Sequence, residues 1–196
     1  MKVSLIELFN YKNGYTPSTT NPEFWTNGDL PWFRMDDIRE NGRILSDAQQ
    51  HVTHAAIKGN LFPKNSIIVS TSATIGEHAL ITVSFLVNQR FTCLSPKDEW
   101  KSLVEMKYLF YCGYKLGQYC KENLNVGNFA SVDMRKFDKF EFYIPSIEKQ
   151  KEIVSILDKF SSLCDDISGT LPESIRKHHE RYEYYRDKLL DFKRKE

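Results

Sequence analysis

The sequence predicts an α+β fold, in which a mixed α/β domain with mostly antiparallel strands (residues 1–145) is followed by a helical, coiled-coil region (residues 146–196). Three observations lead to this prediction. Short β-branched and aromatic runs bounded by polar turns fill the first part, without the regular strand–helix alternation of a doubly wound sheet. Apolar residues recur at spacings of three and four in the last fifty residues. With 196 residues, 41% of them hydrophobic, the chain can form one ordinary core plus a helical extension.

The elements of the first 145 residues follow from local patterns. The run 66–71 is the clearest strand, because it is β-branched and bounded by polar residues. Further strands are predicted over 30–34, 78–83, 85–87, 90–94 and 137–144. Short helices are predicted over 3–9, with Val3, Ile6 and Phe9 inward, and over 52–58, and a longer helix over 102–119. The segments 13–22, 72–76 and 123–131 are rich in turn formers and hydroxyls, which predicts three polar loops.

The last fifty residues predict two helices, at about 146–168 and 171–193. Gly169 is suited to end the first helix, and Thr170 with Glu173 fits a capping box that begins the second. A seven-residue repeat keeps one apolar seam facing a partner helix. The seam of the second helix consists of Leu171, Ile175, His178, Tyr182, Tyr185, Leu189 and Phe192. This seam requires a packing partner.

The motifs of common enzyme classes do not occur in the sequence. There is no G-x-G-x-x-G or Walker A phosphate loop and no G-x-S-x-G nucleophile elbow. His51 and His54 have an H-x-x-H spacing, but no carboxylate or cysteine follows at metal-ligand spacing, so no metal site is predicted. The run 21–24, Asn-Pro-Glu-Phe, only faintly resembles the base-binding motif of adenine methyltransferases, and no glycine-rich S-adenosylmethionine loop accompanies it.

The composition of the chain says more about its cellular location than about whether it binds nucleic acid. A formal net charge of +1 neither supports nor excludes a nucleic-acid partner. No run of eighteen apolar residues and no apolar signal region occur, so we expect a cytoplasmic protein with no membrane partner. Cys93, Cys112, Cys120 and Cys164 lack a C-x-x-C spacing, and we expect them to be buried small hydrophobic residues.

Two segments of the helical region carry a family resemblance. The run 144–154 joins a strand to a helix, and the run 181–190 follows some thirty residues later. Together they resemble the spacer region of type I restriction-modification specificity subunits. In the first domain, the loop 14–18, the runs 29–32 and 36–38, the turn 72–76 and the pair 88–89 resemble the target-recognition domain of that family. The resemblance covers essentially the whole chain and is strongest in the last fifty residues.

One departure from the family pattern concerns the number of domains. Members usually carry two recognition domains and two spacers in a chain of about twice this length. This sequence has one of each, and so resembles a half-subunit or one half of a longer protein. The expected division is a DNA target-recognition domain at 1–145 and a spacer and dimerisation region at 146–196.

The resemblance implies a non-catalytic, sequence-specific DNA-binding subunit of an adenine methyltransferase and endonuclease complex. Such a subunit reads one half of a bipartite site in double-stranded DNA and docks methyltransferase subunits, together with restriction subunits where they are present. No cofactor is expected on this chain, since S-adenosylmethionine, ATP and Mg belong to the partner subunits. Two alternatives compete with this interpretation. The first is a helical dimerisation or docking module, or a recombination-cassette remnant, without DNA recognition of its own. The second is a stand-alone nucleic-acid-modifying enzyme, against which the missing catalytic motifs argue.

Candidate DNA-contacting residues come from the polar loops and from strand ends. Hydroxyls and loop amides can position phosphates, while arginine, asparagine and glutamine can pair with base edges. The candidates are Thr16, Ser18, Trp32, Arg34, Ser72, Thr74, Asn88, Gln89, Arg90 and Asn128. Competing roles are a core position for Trp32, surface ion pairs for Arg34 and Arg90, and turn closure for Asn88 and Gln89.

The second helix also predicts an assembly. Its twenty-two residues span about 33 Å at about 1.5 Å per residue, close to one turn of B-DNA at about 34–36 Å. If two copies pair antiparallel through their seams, the result is a two-fold homodimer. Such a dimer would recognise an inverted repeat, whereas a chain with two different halves reads an asymmetric site.

Overall fold

The computed structural model describes residues 1–125, 130–167 and 172–191, with backbone only for 163–167 and 172–178. In these ranges the strands are β1 (Lys2–Ser4), β2 (Phe9–Asn13), β3 (Leu30–Phe33), β4 (Ile44–Leu45), β5 (His51–Val52), β6 (Ser66–Ser70), β7 (His78–Ile81), β8 (Leu86–Val87), β9 (Phe91–Pro96), β10 (Leu124–Asn125), β11 (Ser131–Val132) and β12 (Glu141–Tyr143). The helices are α1 (Leu5–Leu8), α2 (Met35–Asn41), α3 (Met106–Glu122), α4 (Met134–Phe137), α5 (Ile147–Ile167) and α6 (Pro172–Leu190). The predicted α+β class is confirmed.

A five-stranded sheet in the order β2-β9-β6-β7-β4 is the framework of the domain. Its pairs are antiparallel except β4 with β7. A second sheet has the order β5-β3-β8, in which β3 and β8 run parallel. Two antiparallel pairs, β1 with β12 and β10 with β11, complete the strands of the described ranges.

The central strand β6 separates two hydrophobic cores. Ile67 faces a core shared with α1, α3, β12 and α5, whereas Ile68 faces a core shared with the β5-β3-β8 sheet and α2. Both side chains are at most 1% exposed. Because successive side chains of a strand point to opposite faces, a strand with both faces covered needs an uninterrupted apolar run. This requirement explains why β6, which the sequence predicted most clearly, is an apolar run without alternating polar residues.

Helix α3 packs across β6 and β7 around His78. The imidazole is 1% exposed, and its Nε2 lies 3.1 Å from the Phe110 carbonyl oxygen. The Tyr114 ring contacts it edge-on, with the two ring centres 4.7 Å apart. Gly113 makes this approach possible, since a Cβ there would lie 2.5 Å from the imidazole Cδ2. The histidine therefore fills a space that α3 leaves open for it.

Helices α5 and α6 pack on the same core. Ile153, Val154 and Leu157 of α5 are buried with the apolar side chains of α3, so core contacts cross residue 145. In α6, Leu190 is buried in this core, and the Arg186 guanidinium lies 4.3 Å from the centre of the Tyr114 ring. The helical region is thus attached to the domain over both of its helices.

Three elements differ from their predictions for identifiable reasons. The N-terminal helix is limited to Leu5–Leu8, because Val3 pairs with Phe142 in β1, and Ile6 is exposed rather than inward. The segment 52–58 forms a single 3₁₀ turn at His54–Ala56 after β5. The strand predicted over 137–144 is divided between the end of α4 and β12.

The helix predicted over 102–119 and the predicted burial of the cysteines both agree closely with the structure where the residues are described. Helix α3 begins four residues later than predicted, where the Glu105 side chain accepts a hydrogen bond from the Lys107 amide. Cys93, Cys112 and Cys120 are buried free thiols, as predicted, while the side chain of Cys164 lies outside the described residues. Within the part of the chain that the structure describes, no helix combines the length and hydrophobicity that a membrane span requires.

The buried His78 should make the free energy of unfolding decrease in acid. Burial, assisted by the nearby Arg43 guanidinium, lowers the pKa of His78 to about 3. The unfolded chain therefore takes up the proton first, and stability present above the unfolded pKa of about 6.5 is lost as the pH falls toward 3, by at most about 1.4 kcal/mol per pH unit. Chemical denaturation of wild type and His78→Gln between pH 4 and 8 measures this effect. Stability should fall more steeply with acid in wild type, and equal slopes would contradict the assignment.

Candidate nucleic-acid interface

Two parallel strands bring Arg34 and Asn88 to the same place. Strands β3 and β8 pair with Phe33 beside Val87, so the residues that follow each strand are neighbours. The backbone amide of Asn88 donates to the Phe33 carbonyl at 3.1 Å, so the pairing of the two strands continues to this residue. The run 88–90 therefore leaves the second sheet next to Arg34.

The loop 14–18 lies directly on this strand end. The amide of Gly14 donates to the Phe91 carbonyl at 2.9 Å, and the amide of Tyr15 donates to the Val87 carbonyl at 2.8 Å. A Cβ on Gly14 would lie 2.2 Å from the Val87 carbonyl oxygen, so only glycine permits the approach. The Thr16 hydroxyl donates to the Gln89 side-chain oxygen. Two residues that are 73 positions apart are thus brought together.

The end of β6 adds a third segment. The Thr71 amide donates to the Arg90 carbonyl at 3.0 Å, and Ser72 pairs with Ser131 in an isolated antiparallel bridge. The turn that follows places Ala73 at a φ of 63°, and the Thr74 carbonyl accepts from the Glu77 amide at 3.3 Å. We call the assembled segments 14–18, 34, 71–74, 88–90 and 131 the loop end of the domain.

Buried hydroxyls connect the strands beneath the loop end. The Thr92 hydroxyl donates to the Asn13 side-chain oxygen at 2.8 Å and lies 3.0 Å from the Thr71 hydroxyl. These three residues stand at the ends of β2 and β6 and in β9, where the three strands are adjacent. The sequence contained no signal for this network, because its members are far apart in the chain.

The remaining candidates differ in the exposure of their side chains and in what those side chains contact. Gln89 and Arg90 are exposed at the tip of the turn, and Ser18 is exposed with its hydroxyl 2.9 Å from that of Thr20. The Asn88 side-chain oxygen accepts from the Arg90 amide at 2.9 Å, so this oxygen closes the turn. Asn128 lies outside the described residues.

Arg34 is the half-buried cation of the loop end. Its side chain is 32% exposed, its guanidinium stands 5.7 Å from the Trp32 ring centre, and its distance to the Asp36 carboxylate is 4.0 Å. Its buried Nε has no hydrogen-bond partner among the described residues. An arginine held on an aromatic face, with hydrogen-bonding capacity left over, suits recognition of a phosphate or a guanine edge.

Trp32 does not fit the prediction of a direct DNA contact. Its side chain is 5% exposed and belongs to the second core. The indole Nε1 donates to the Tyr15 carbonyl at 3.0 Å, and the ring contacts Trp25 edge-on at 5.1 Å. Trp32 therefore supports the loop 14–18 from below, as the competing core role implied.

Tyr15 and Asp37 fix the loop end but were not among the predicted residues. The Tyr15 hydroxyl accepts from the Lys58 amide at 2.8 Å and lies 3.1 Å from the Ala56 carbonyl. The buried Asp37 carboxylate accepts from the Arg34 amide at 2.6 Å and from the Gln49 amide at 2.7 Å. The sequence offered weak signals, namely the aromatic residue in a turn-rich loop and the second carboxylate of an Asp-Asp pair.

The H-x-x-H pair does not converge on one point. His51 Nε2 lies 2.7 Å from the Asp47 carboxylate, while His54 Nε2 lies 3.7 Å from the Asp29 carboxylate. Each imidazole thus contacts a different carboxylate.

The part of the predicted helical seam that the structure describes, Tyr182, Tyr185 and Leu189, makes contacts within the chain. Tyr182 is buried, Leu189 packs against the first core, and Tyr185 stacks on Phe160 of α5 with ring centres 5.6 Å apart. Leu171, Phe192 and the side chains of Ile175 and His178 lie outside the described residues. The described part of the seam therefore has α5 and the domain core as packing partners.

Comparison with known proteins decides the family. The family model of the type I restriction modification DNA specificity domain matches residues 1–177. The chain belongs to this family. The type I specificity resemblance seen in the sequence is therefore confirmed.

Individual members of the type I specificity family support the assignment. The EcoprrI specificity subunit of Escherichia coli is 52% identical over 200 residues, which cover 98% of this chain and 50% of that protein. The HsdS subunit from Thermoanaerobacter tengcongensis matches with a TM-score of 0.65 at 16% identity, over 97% of this chain and 44% of that one. A chain from a structural study of complex assembly and conformational transition of the type I restriction-modification system matches with a TM-score of 0.68 at 16% identity, over 97% and 45%. The two structural matches show a common fold, and the chain spans about half the length of these relatives.

Proposed function

We propose that this chain is the non-catalytic DNA-reading part of a type I specificity subunit and that it recognises one half of a bipartite target. The observation that carries the proposal is the convergence of segments 14–18, 34, 71–74 and 88–90 on one end of the domain. Family membership supports DNA as the ligand. The candidate residues supply the hydroxyls, amides and guanidinium groups that contact phosphates and base edges.

The loop end suggests a division of work among its side chains. Arg34 and Gln89 are the candidates for base edges, because guanidinium and amide groups can form paired hydrogen bonds in the major groove. Thr16, Ser18, Ser72 and Thr74 are the candidates for phosphates, since a hydroxyl can donate to any backbone oxygen. Arg90 is exposed and adds a positive charge at the tip of the turn.

The partners proposed for the chain follow from the family. Methyltransferase subunits would dock on it and restriction subunits would complete the nuclease, with S-adenosylmethionine, ATP and Mg bound by those subunits. A cytoplasmic location would give such a complex access to DNA. The proposed role of the chain is to decide which sequence the catalytic subunits reach.

We further propose a two-fold homodimer that pairs through the helical region. The described length of α6 is 19 residues, or about 28 Å at about 1.5 Å per residue. Since Tyr182 and Leu189 pack within the chain and Tyr185 stacks on Phe160, the surface left for a second copy includes the exposed ring of Tyr184. A homodimer would read an inverted repeat with a fixed central gap.

The proposal is tested by mapping methylated adenines in DNA from cells that carry this chain with its cognate methyltransferase. We expect an inverted-repeat bipartite target, and binding of the purified complex that weakens steeply as salt rises, because each phosphate contact releases counterions. An asymmetric target would contradict the homodimer. A complex that assembles without affinity for DNA would instead support the alternative docking module.

A further inference from the structure

Gln150 attaches the first turn of α5 to the domain with a fully buried amide. Its Oε1 accepts from the Glu105 amide at 2.9 Å, and its Nε2 donates to the carbonyls of Leu103 and Pro145, both at 2.9 Å. The side chain thus joins the end of the β12 segment to the beginning of α3. A buried amide with all these bonds holds one geometry, because hydrogen bonds are directional.

Asp158 attaches the same helix at a second point. Its carboxylate accepts from the Lys107 ammonium at 2.6 Å and from the Tyr111 hydroxyl at 2.7 Å. Burial, together with the bond to Asp158, raises the pKa of Tyr111, so the hydroxyl remains a donor at neutral pH. Both partners belong to α3, the helix whose first turn Gln150 contacts.

The separation of the two attachments matters more than either one alone. Gln150 and Asp158 are eight residues apart on α5, which corresponds to about 12 Å along the helix axis. A helix held at one point can pivot, whereas a helix held at two points has a defined direction. The apolar contacts between them, at Ile153 and Leu157, provide adhesion that is not directional.

We infer that Gln150 and Asp158 are positioning residues that set the direction in which α5 leaves the domain, and thereby the gap at which two reading domains meet DNA. The inference rests on the proposed function and extends it to the residues that determine target spacing. Two half-sites are bound together only if the protein places both domains at the correct separation and rotation, and avidity is lost when the geometry forbids this.

The direction of the helix can be measured without DNA. Spin labels carried by non-canonical amino acids at Asn60 and Ser162, both exposed, report the distance between the domain and α5. We expect a broader distance distribution for Asp158→Asn and for Gln150→Leu than for wild type. Glu152→Gln is the matched control, since Glu152 is an exposed acid of the same helix that pairs with Lys149 instead of α3.

The consequence for DNA is measured with the assembled methyltransferase complex on duplexes whose half-sites are separated by the natural gap or by one or two base pairs more or fewer. Wild type and Glu152→Gln should prefer the natural gap by about tenfold or more, while Asp158→Asn should reduce this preference below about threefold. Affinity for a duplex with a single half-site should stay within about twofold in all variants, because the loop end is untouched.

The outcomes separate this inference from the proposed function. An unchanged label distribution in both Asp158→Asn and Gln150→Leu overturns the inference, as does a broadened distribution with unchanged gap preference. Absence of any specific binding by the wild-type complex overturns the proposed function, while the label distances still decide whether the two residues fix the helix. Asp158→Asn keeps the test valid if Gln150→Leu fails to fold, because the asparagine oxygen can still accept from Tyr111.

Discussion

Gly14→Ala is expected to abolish sequence-specific DNA binding and to lower the free energy of unfolding by about 1–3 kcal/mol or more. The new Cβ would lie 2.2 Å from the Val87 carbonyl oxygen and 2.3 Å from that of Asn88. Both are backbone atoms of the strand end, so they cannot rotate away. The loop 14–18 must therefore move off the sheet, and it takes the Thr16 contact to Gln89 with it.

The measurement is DNA affinity at fixed salt together with denaturant unfolding. Gly42→Ala is the control, because a Cβ at Gly42 has no heavy atom within 4 Å and meets only the strain of a φ of 81°. This variant should lose stability by about 1–3 kcal/mol and keep its DNA specificity. Retention of specific binding by Gly14→Ala would show that the loop 14–18 does not take part in reading.

Arg34→Ala is expected to weaken specific binding by about 1–3 kcal/mol and to relax the preference at one base position. The substitution removes a guanidinium that stands on the Trp32 ring and whose buried Nε has no hydrogen-bond partner among the described residues. Within the described loop end, no other side chain combines these two properties. Arg34→Lys separates the two contributions of the residue. It keeps the charge and hence the salt dependence, but loses the planar pair of donors that distinguishes bases.

Competition binding against a library of target variants measures both quantities. Lys101→Ala serves as the control, since Lys101 is an exposed cation paired with Asp98 outside the loop end. It should leave base preference unchanged. If Arg34→Ala and Lys101→Ala have the same effect on affinity and on base preference, Arg34 makes no specific contact with DNA.

Much of the framework could be predicted because local patterns and tertiary packing agree. The run around Ile67 and Ile68 is apolar on both faces, and the structure buries both faces of that strand. The polar loops predicted over 13–22 and 72–76 also occur where glycine, asparagine and hydroxyl residues cluster. The loop predicted over 123–131 instead contains β10 and the first residue of β11, and residues 126–129 lie outside the described residues. The N-terminal segment was less predictable, since a helical apolar spacing at Val3 is overridden by pairing with Phe142.

The candidate site was predictable in its chemistry and less so in its roles. Thr16, Gln89 and Arg34 were selected from residue type and position, and the structure brings them to one end of the domain, while their contact with DNA stays a prediction. A sequence cannot tell whether Trp32 faces solvent or core. Arg186 shows the same difficulty in the helical region, because a charged residue normally indicates a surface, whereas this guanidinium packs on Tyr114. Such contacts depend on residues that are distant in the chain and carry no local signal.

Several of the bonds that hold the loop end are main-chain bonds, such as those from Gly14, Tyr15 and Thr71 to the carbonyls of Phe91, Val87 and Arg90. A main-chain bond is indifferent to the side chain that the residue carries. An outward side chain such as that of Arg90 can therefore be exchanged while these main-chain bonds stay in place. Under the proposed function, new targets become accessible through substitutions at such positions that leave the folded protein intact.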